Sequence, residues 1–286
     1  MILSFHPCFE THCQIILGDK GLHPSHLPLI RRAEAIILPQ TCSPELYKAC
    51  KESAALLFPN YDVRFLYPGK LGQSLLFEII GLPHPKTMRW NSVRDYELSF
   101  SGKKGGYPHK LPFFVKADRS HEAEGVFLVS DERSLESALA YLRDLENSGF
   151  SGFATQECIR TEGNVLRAVI VGKRIITYWK RPSRPGQMIT TIGRGCIVDK
   201  GWREDLQDIA RAAALQFSKR TGANLAAVDF VFSSAQPSPL ALFLEINYYF
   251  GRRGLGGSKS YYQLLYEAIV EWLIENKMDP QSVKLV

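Results

Sequence analysis

The chain has none of the patterns that mark a zinc-binding, secreted or membrane protein. Its 286 residues include six cysteines, which form no Cys-x-x-Cys pair and no cysteine–histidine cluster with zinc-finger spacing. Cys8, His12 and Cys13 lie close together, yet a trio without a fourth ligand is more often incidental than a metal site. The N-terminus, MILSFHP, lacks the basic region and apolar core of a signal peptide, and no apolar run approaches the roughly 18 residues of a membrane span. We therefore expect a cytoplasmic protein, with reduced cysteines and no membrane partner.

Basic tracts and nucleophile motifs are missing as well. The chain carries 35 Lys and Arg residues against 29 Asp and Glu residues, a net charge of +6. That excess favours anionic ligands such as nucleotides or acidic substrates, but it is too small to indicate nucleic acid. No serine or cysteine triad motif is recognisable in the sequence.

The first part of the sequence alternates short apolar runs with helical patterns, which predicts a parallel sheet covered by helices. The predicted strands are residues 2–5, 15–17 and 36–39, and the predicted helices are residues 27–35 and 44–57. The segment GLPHPKT at 81–87 has two prolines within three residues, which stop a helix and keep the chain extended. We place a domain boundary there, between residues 1–87 and residues 88–286.

The second part has a different pattern, with strands, a hairpin around Gly172 and Lys173, and long amphipathic helices. Its predicted strands are residues 113–116, 126–129, 153–159, 166–171, 174–178, 225–232 and 240–246, and its predicted helices are residues 134–145, 205–221 and 261–276.

The most informative residues are three oxygen-bearing side chains in two apolar strands near the C-terminus. Asp229 lies in AAVDFVF, and Glu245 and Asn247 lie two residues apart in ALFLEIN, so the latter two point to the same face. If the strands pair as a hairpin, the three side chains converge, and they supply the hard oxygen ligands that Mg²⁺ prefers. The alternative is that Asp229 and Glu245 form buried ion pairs with nearby arginines.

Upstream segments offer phosphate and nucleotide contacts. Lys116 ends the strand FFVKA, where a lysine can reach a phosphate, and the loop DRSHEAEG follows it. Gln156 and Glu157 form a polar pair in FATQECI, whose backbone can meet an adenine edge while Ile159 packs on the ring. Glu162 could accept hydrogen bonds from ribose hydroxyls. The alternative, which the segment taken alone favours, is an ordinary strand end that runs into a loop.

In this order, the motifs VKADRSHEAEGVFLV, QECI, GNVLRAVIVGKRIITYWKR, AVDFVF and LEIN resemble the ATP-grasp superfamily, in the branch of the ribosomal-protein glutamate ligase and the glutathione synthetases. The resemblance covers nearly the whole chain. It implies an α/β (α+β) architecture: an ATP-grasp fold preceded by a small parallel-sheet pre-ATP-grasp domain at 1–87. Within the ATP-grasp domain at 88–286, residues 88–160 would form the lid and adenine-hinge lobe and residues 161–286 the metal-binding lobe.

The resemblance also implies roles for individual residues. Lys116 would contact ATP phosphate, Glu157 and Ile159 would lie at the adenine, and Asp229, Glu245 and Asn247 would bind Mg²⁺ or Mn²⁺. Arg167 and Arg181 match arginines that face phosphate or the bound acid. Arg252 and Arg253, in the glycine-rich segment after Asn247, suggest an anion-binding loop; the alternative there is a solvated turn.

The chain departs from the family at three places. The loop after Lys116 has Arg119-Ser120-His121 in place of paired glycines, Val165 and Leu166 replace an acidic residue before Arg167, and Ile189 and Thr191 replace an arginine and an asparagine. We expect an ATP-dependent carboxylate–amine ligase that acts through an acyl phosphate on unidentified substrates, with homo-oligomerisation left open. The alternatives are a non-catalytic ATP-binding module and a phosphotransferase.

Overall fold

The computed structural model describes residues 1–100, 106–118, 124–190, 195–233 and 239–286. Its strands are β1 (Ile2–Ser4), β2 (Phe9–Glu10), β3 (Cys13–Gln14), β4 (Ala35–Ile37), β5 (Leu56–Phe58), β6 (Thr87–Trp90), β7 (Phe113–Ala117), β8 (Val126–Val129), β9 (Phe153–Glu157), β10 (Val165–Val171), β11 (Arg174–Arg181), β12 (Ile197–Asp199), β13 (Leu225–Phe232), β14 (Ala241–Asn247) and β15 (Lys284–Leu285). Its α-helices are α1 (Leu27–Arg32), α2 (Pro44–Lys51), α3 (Asp62–Leu66), α4 (Gly69–Ile79), α5 (Val93–Phe100), α6 (Glu132–Asn147), α7 (Glu204–Thr221) and α8 (Gly257–Glu275).

The N-terminal sheet is parallel, with the strand order β3-β1-β4-β5. β1 and β4 are fully buried, as expected of parallel strands that are covered on both faces. The predicted strand at 15–17 is wrong: the edge strand is β3, and Ile16 is 63% exposed. The predicted small parallel sheet is otherwise confirmed.

The second sheet is antiparallel, in the order β6-β9-β7-β8. Along β7, Phe113, Val115 and Ala117 pack into a core with α5 and α6. The alternating residues Phe114 and Lys116 point to the opposite face and line a cavity. This alternation places Lys116 on the face of the sheet that lines the cavity.

The third sheet has five antiparallel strands in the order β12-β11-β10-β13-β14. One face packs against α7 and the N-terminal sheet, and the other face packs in part against α8. On the α8 side, apolar residues such as Val169 and Ala227 continue along their strands into Arg167 and Asp229. One face of the sheet therefore runs from the core into a polar site.

The edge strand β14 is covered by the N-terminal part of the chain. The Gln73 amide donates to the carbonyl of Ile246 and accepts from its N–H, both at 2.8 Å. Phe243 N–H donates to the carbonyl of Pro83 at 2.8 Å. These bonds satisfy backbone groups that an edge strand leaves open, and they fix the strand that carries Glu245 and Asn247.

Among the described residues, no helix combines the length and the apolar character needed to cross a membrane.

Candidate active site

A cavity of about 1490 Å³ lies where three parts of the chain meet: the antiparallel sheet β6-β9-β7-β8, the five-stranded sheet and the N-terminal part. Its size exceeds the range of roughly 300–1,000 Å³ that is typical of a single small-molecule pocket, so it has room for more than one ligand. Ten of the twelve predicted site residues line it: Lys116, Gln156, Glu157, Ile159, Arg167, Asp229, Glu245, Asn247, Arg252 and Arg253.

Asp229 lies at the centre of a buried ion cluster. Register places Asp229 on β13 opposite Arg167 on β10, and Arg167 Nε and Nη2 donate to the two carboxylate oxygens at 2.7 and 2.8 Å. Lys180 Nζ donates to Asp229 Oδ2 at 2.7 Å. These contacts match the alternative interpretation, in which Asp229 forms a buried ion pair with an arginine.

The three members of this cluster respond differently to burial. Burial alone would raise the pKa of Asp229, but the charges and hydrogen bonds of Arg167 and Lys180 lower it to about 2. Burial lowers the pKa of Lys180, and the adjacent Arg167 charge lowers it further. For Arg167, the Asp229 carboxylate outweighs burial and raises the pKa above its usual range. Of the two cations in this cluster, Lys180 is therefore the one that loses its proton more easily.

A β-bulge brings Glu245 and Asn247 to Asp229. Asp229 pairs with Glu245 while Phe230 pairs with Phe243, so Leu244 is the extra residue on β14. Asn247 Nδ2 lies 3.3 Å from Asp229 Oδ2. In the opposite amide orientation, Asn247 donates to Glu245 Oε1 at 3.0 Å and accepts from Arg167 Nη2 at 3.3 Å. The three predicted metal ligands therefore meet at one end of the β13–β14 pair.

The residues fit a divalent cation through carboxylate and amide oxygens. The described part of the chain contains no cluster of three His, Cys, Asp or Glu side chains that could hold a metal, so a metal here would rely on the Asn247 amide. Asp229 already accepts from Arg167 and Lys180, whereas Glu245 forms no direct ion pair with a described residue. Oxygen ligands of this kind suit Mg²⁺ when substrate phosphates complete its shell.

Lys116 faces this cluster from β7, in the antiparallel sheet β6-β9-β7-β8. Its Nζ donates to Gln156 Oε1 at 2.6 Å, and Gln156 Nε2 donates to Thr87 Oγ1 at 2.9 Å. Burial lowers the pKa of Lys116 to about 8, and Lys70 also lowers it, while Glu245 opposes the shift. A desolvated lysine held in this way gains a strong partner when an anion enters the cavity.

The segment after β9 forms another part of the cavity wall. Glu157 Oε1 accepts from Lys86 N–H at 2.7 Å, and Glu157 N–H donates to the carbonyl of Lys86 at 2.9 Å. Ile159 lines the cavity two residues later. An apolar wall beside strand-end backbone groups is suited to a planar aromatic ring.

The segment after β14 brings two arginines to the cavity. Arg252 stacks on Tyr261 and Tyr262, with 5.0 and 4.5 Å between its Cζ and the ring centroids. Gly254 packs so closely on Tyr178 that a Cβ there would lie 2.2 Å from the ring. Gly256, Gly257 and Ser258, at the N-terminus of α8, also line the cavity. Two arginines beside a helix N-terminus favour an anion.

Two predicted residues are not brought to this group. Arg181 lies on the opposite face of β11 from Lys180, where it pairs with Asp199 at 2.8 Å and stacks on Trp202 at 4.4 Å. Glu162 is exposed, has a φ of 51°, and does not line the cavity. The contacts of Arg181 do not support a role in binding phosphate or the acid. The position of Glu162 outside the cavity does not support a role in binding ribose. The predicted loop residues 119–123, with Arg119, Ser120 and His121, and residues 191–194, with Thr191, lie outside the described residues.

Three cations that line the cavity in its described part are not among the predicted site residues: Arg64, Lys70 and Lys180. The two-residue turn at Gly172 and Lys173 sets the hairpin register in which Lys180 opposes Val165, so extending the predicted hairpin would have found it. Nothing local marks Arg64 or Lys70, because they reach the cavity from the N-terminal part through tertiary packing.

The described geometry agrees with comparisons to known proteins. Residues 103–261 match the family model described as the RimK-like ATP-grasp domain. A "probable alpha-L-glutamate ligase" of Xanthomonas oryzae pv. oryzae is 27% identical over 147 residues, which is 51% of this chain and 46% of that protein. A protein with the same description from Shewanella loihica is 26% identical over 174 residues, which is 60% of this chain and 52% of that protein. The chain thus spans about half the length of these curated relatives.

Solved structures show the same fold. The RimK domain ATP-grasp protein of Sphaerobacter thermophilus matches with a TM-score of 0.56 and 15% identity, covering 82% of this chain and 80% of that one. The D-alanine–D-alanine ligase of Bacillus anthracis matches with a TM-score of 0.61 and 14% identity, covering 91% of this chain and 84% of that one. The predicted ATP-grasp fold is confirmed. The chain belongs to the RimK-like ATP-grasp family.

Proposed function

We propose that the protein is an ATP- and Mg²⁺-dependent ligase that joins a carboxylate to an amine through an acyl phosphate. A carboxylate oxygen of the acid attacks the γ-phosphorus of ATP and ADP leaves. The amine nitrogen then attacks the acyl carbon, loses a proton, and displaces inorganic phosphate. The relatives are named as probable alpha-L-glutamate ligases. The proposal applies the ligase part of that name to this protein.

The observation that carries the proposal is the convergence of Asp229, Glu245 and Asn247 in a cavity whose other walls are cationic. Seven cationic side chains and three carboxylates line the cavity in its described part: Arg64, Lys70, Lys116, Arg167, Lys180, Arg252 and Arg253 against Glu157, Asp229 and Glu245. Such an excess suits a nucleoside triphosphate together with an acidic substrate.

Each group has a physical task in this scheme. Lys116 and Lys180 come from two different sheets and supply point charges for phosphate oxygens. Arg167, held by Asp229 at both Nε and Nη2, is fixed in orientation and can stabilise a phosphoryl group without reorganising. Arg252, stacked on two tyrosine rings, is suited to grip the acid.

Asp229, Glu245 and Asn247 would hold the metal. A bound Mg²⁺ would neutralise charge on the phosphate oxygens as it develops. Because Asp229 also binds Arg167 and Lys180, its carboxylate sets the position of both cations relative to that charge.

Glu245→Gln is the decisive variant. Purified protein with ATP, Mg²⁺ and a pool of metabolites or peptides should release ADP and phosphate, and Glu245→Gln should lower kcat on the order of 100-fold. Glu245 has no ion partner to disturb among the described residues, so the folded state should persist, as a melting curve would check. Full activity of Glu245→Gln would refute the assignment, and ATP binding without turnover of any pool would favour a non-catalytic module.

Asp229→Asn is a less clean variant because it also removes the partner of two buried cations. Breaking a buried ion pair costs about 3–5 kcal/mol, which corresponds to a melting temperature lower by roughly 10 °C in a chain of this size. Its activity must therefore be measured well below that temperature.

A further inference from the structure

The carboxylate of Asp229 is engaged by cationic side chains of the chain itself. Arg167 donates to Oδ1 and Oδ2 at 2.7 and 2.8 Å, and Lys180 Nζ donates to Oδ2 at 2.7 Å. A carboxylate has about four lone-pair positions, so these cations leave little of it for another ligand. The side chains of Asp229 and Lys180 are only 5% and 6% exposed. A metal ion that binds Asp229 therefore competes with buried donors.

Lys180 is the donor that yields more readily. Arg167 lies opposite Asp229 in the strand register and holds both carboxylate oxygens with its planar fork. Lys180 comes from β11, two strands away from β13, and holds one oxygen through a flexible four-carbon stem. Among the described residues, Asp229 is the one hydrogen-bond acceptor of its ammonium group. Moving Lys180 breaks one hydrogen bond, whereas moving Arg167 breaks two.

The charge around Asp229 also opposes a divalent cation. Six side chains of the cavity interact through their charges as one group: the carboxylates Asp229 and Glu245 and the cations Arg167, Lys180, Lys116 and Lys70. Cations outnumber carboxylates in this group, and charges interact strongly where water is excluded. The phosphates of a nucleotide bring the negative charge that is needed to balance a divalent cation, and their oxygens offer Lys180 a second acceptor.

We propose that Lys180 makes metal uptake depend on nucleotide. Its ammonium group holds Asp229 when no nucleotide is bound and thereby competes with the metal ion for this carboxylate. Phosphate oxygens draw the ammonium group away from Asp229, and the metal ion and the nucleotide then enter together. This inference rests on the metal site of the proposed function and adds to it the residue that sets the order of binding.

The test measures Mn²⁺ binding to the whole protein without nucleotide, from the electron paramagnetic resonance signal of the free ion. Mn²⁺ takes the same kinds of oxygen ligand as Mg²⁺. Lys180→Met removes the charge and nearly keeps the length of the side chain, so it should bind Mn²⁺ roughly ten-fold more tightly than the wild-type protein, or better. Lys180→Arg keeps the charge and should bind as weakly as the wild type. Lys200→Met removes an exposed lysine that does not line the cavity, and it should have no effect.

Two more variants locate the ion and guard against misfolding. Glu245→Gln in the Lys180→Met background should remove the gain in Mn²⁺ affinity, because the ion loses a carboxylate ligand. Lys180→Gln removes the charge but keeps an N–H donor for Asp229, and it provides the test if a melting curve shows that Lys180→Met is unfolded.

Equal Mn²⁺ affinity of the wild-type protein and the uncharged Lys180 variants would overturn the inference. A gain that survives Glu245→Gln would also overturn it, since the ion would then bind elsewhere. Failure of the ligase proposal is seen separately, as full activity of Glu245→Gln in the otherwise unchanged protein.

Discussion

Lys116 is a buried lysine whose charge depends on its surroundings. Burial lowers its pKa to about 8, with a further lowering by Lys70 and an opposing influence of Glu245. The side chain therefore loses its proton as the pH rises through about 8. If Lys116 binds phosphate as a cation, nucleotide binding is linked to that proton.

We predict that the affinity for an ATP analogue is constant at low pH and falls above about pH 8, by up to ten-fold per pH unit. The sign follows because the protonated form binds the anion and the proton must be taken up above the free pKa. Equilibrium titrations between pH 6.5 and 9.5 would measure it. Arg stays charged throughout this range, so Lys116→Arg should flatten the profile, and an unchanged profile in that variant would assign the titration to another group.

Strand alternation separates Lys180 from Arg181, and it can be followed in the sequence. The turn at Gly172 and Lys173 places Arg167 opposite Tyr178 and Val165 opposite Lys180. Lys180 therefore shares a face with Arg167, whereas Arg181 points to the other face and pairs with Asp199. The resemblance selects Arg181 because it matches residues by position and not by side-chain direction.

Arg64 illustrates what the sequence could not give. It belongs to a five-residue helix, and it reaches the cavity only because α3 packs beside Tyr248. That contact joins residues 184 positions apart in the chain, and no local periodicity encodes it. Asp229, by contrast, could be found because a lone carboxylate in an apolar strand needs a compensating cation.

At the scale of elements, long periodic segments are predicted well and short ones are not. β13 has the predicted bounds, and α7 begins one residue before the predicted start. The predicted helix at 44–57 ends at Lys51, and residues 56–58 form β5, a three-residue strand whose first residue is exposed. Such a short strand is defined by its partner β4, which a sequence pattern does not identify.

Gln73 of α4 is the residue that most directly fixes the edge strand β14. Its amide satisfies both the N–H and the carbonyl of Ile246 at 2.8 Å. Ile246 is only 2% exposed, so water cannot readily take the place of Gln73 as its hydrogen-bond partner. The neighbours of Ile246 are Glu245 and Asn247, which ties this helix to the proposed metal ligands.

We predict that Gln73→Leu destabilises the fold by about 2–4 kcal/mol, since two buried backbone groups lose their partners at about 1–3 kcal/mol each. The activity should fall as well, because Asn247 is no longer held in register. Urea unfolding and initial rates would measure the two effects. Leu75→Ala changes a residue of α4 that is 39% exposed and should alter both by much less. Equal effects of the two substitutions would contradict the role of Gln73.

For the whole molecule, the N-terminal sheet shares its core with the five-stranded sheet. Leu3 and Ile36 belong to the same buried cluster as Leu166 and Phe230. On the other side, Phe58 contacts Trp272 of α8 with 5.4 Å between ring centroids. The domain boundary at residue 87 remains a prediction, but the packing indicates that the two parts are stabilised together.

We therefore predict that residues 88–286 expressed alone do not unfold cooperatively, because the removal of residues 1–87 exposes Phe243 and the apolar face behind it. A thermal scan and binding of a hydrophobic dye would show the loss, with the full chain as reference. Supplying residues 1–87 as a separate polypeptide should restore a cooperative transition, since β14 would regain the Pro83 contact to Phe243 at 2.8 Å. A fragment 88–286 that melts sharply, near the temperature of the full chain, would mean that the shared core contributes little and that the C-terminal part folds independently.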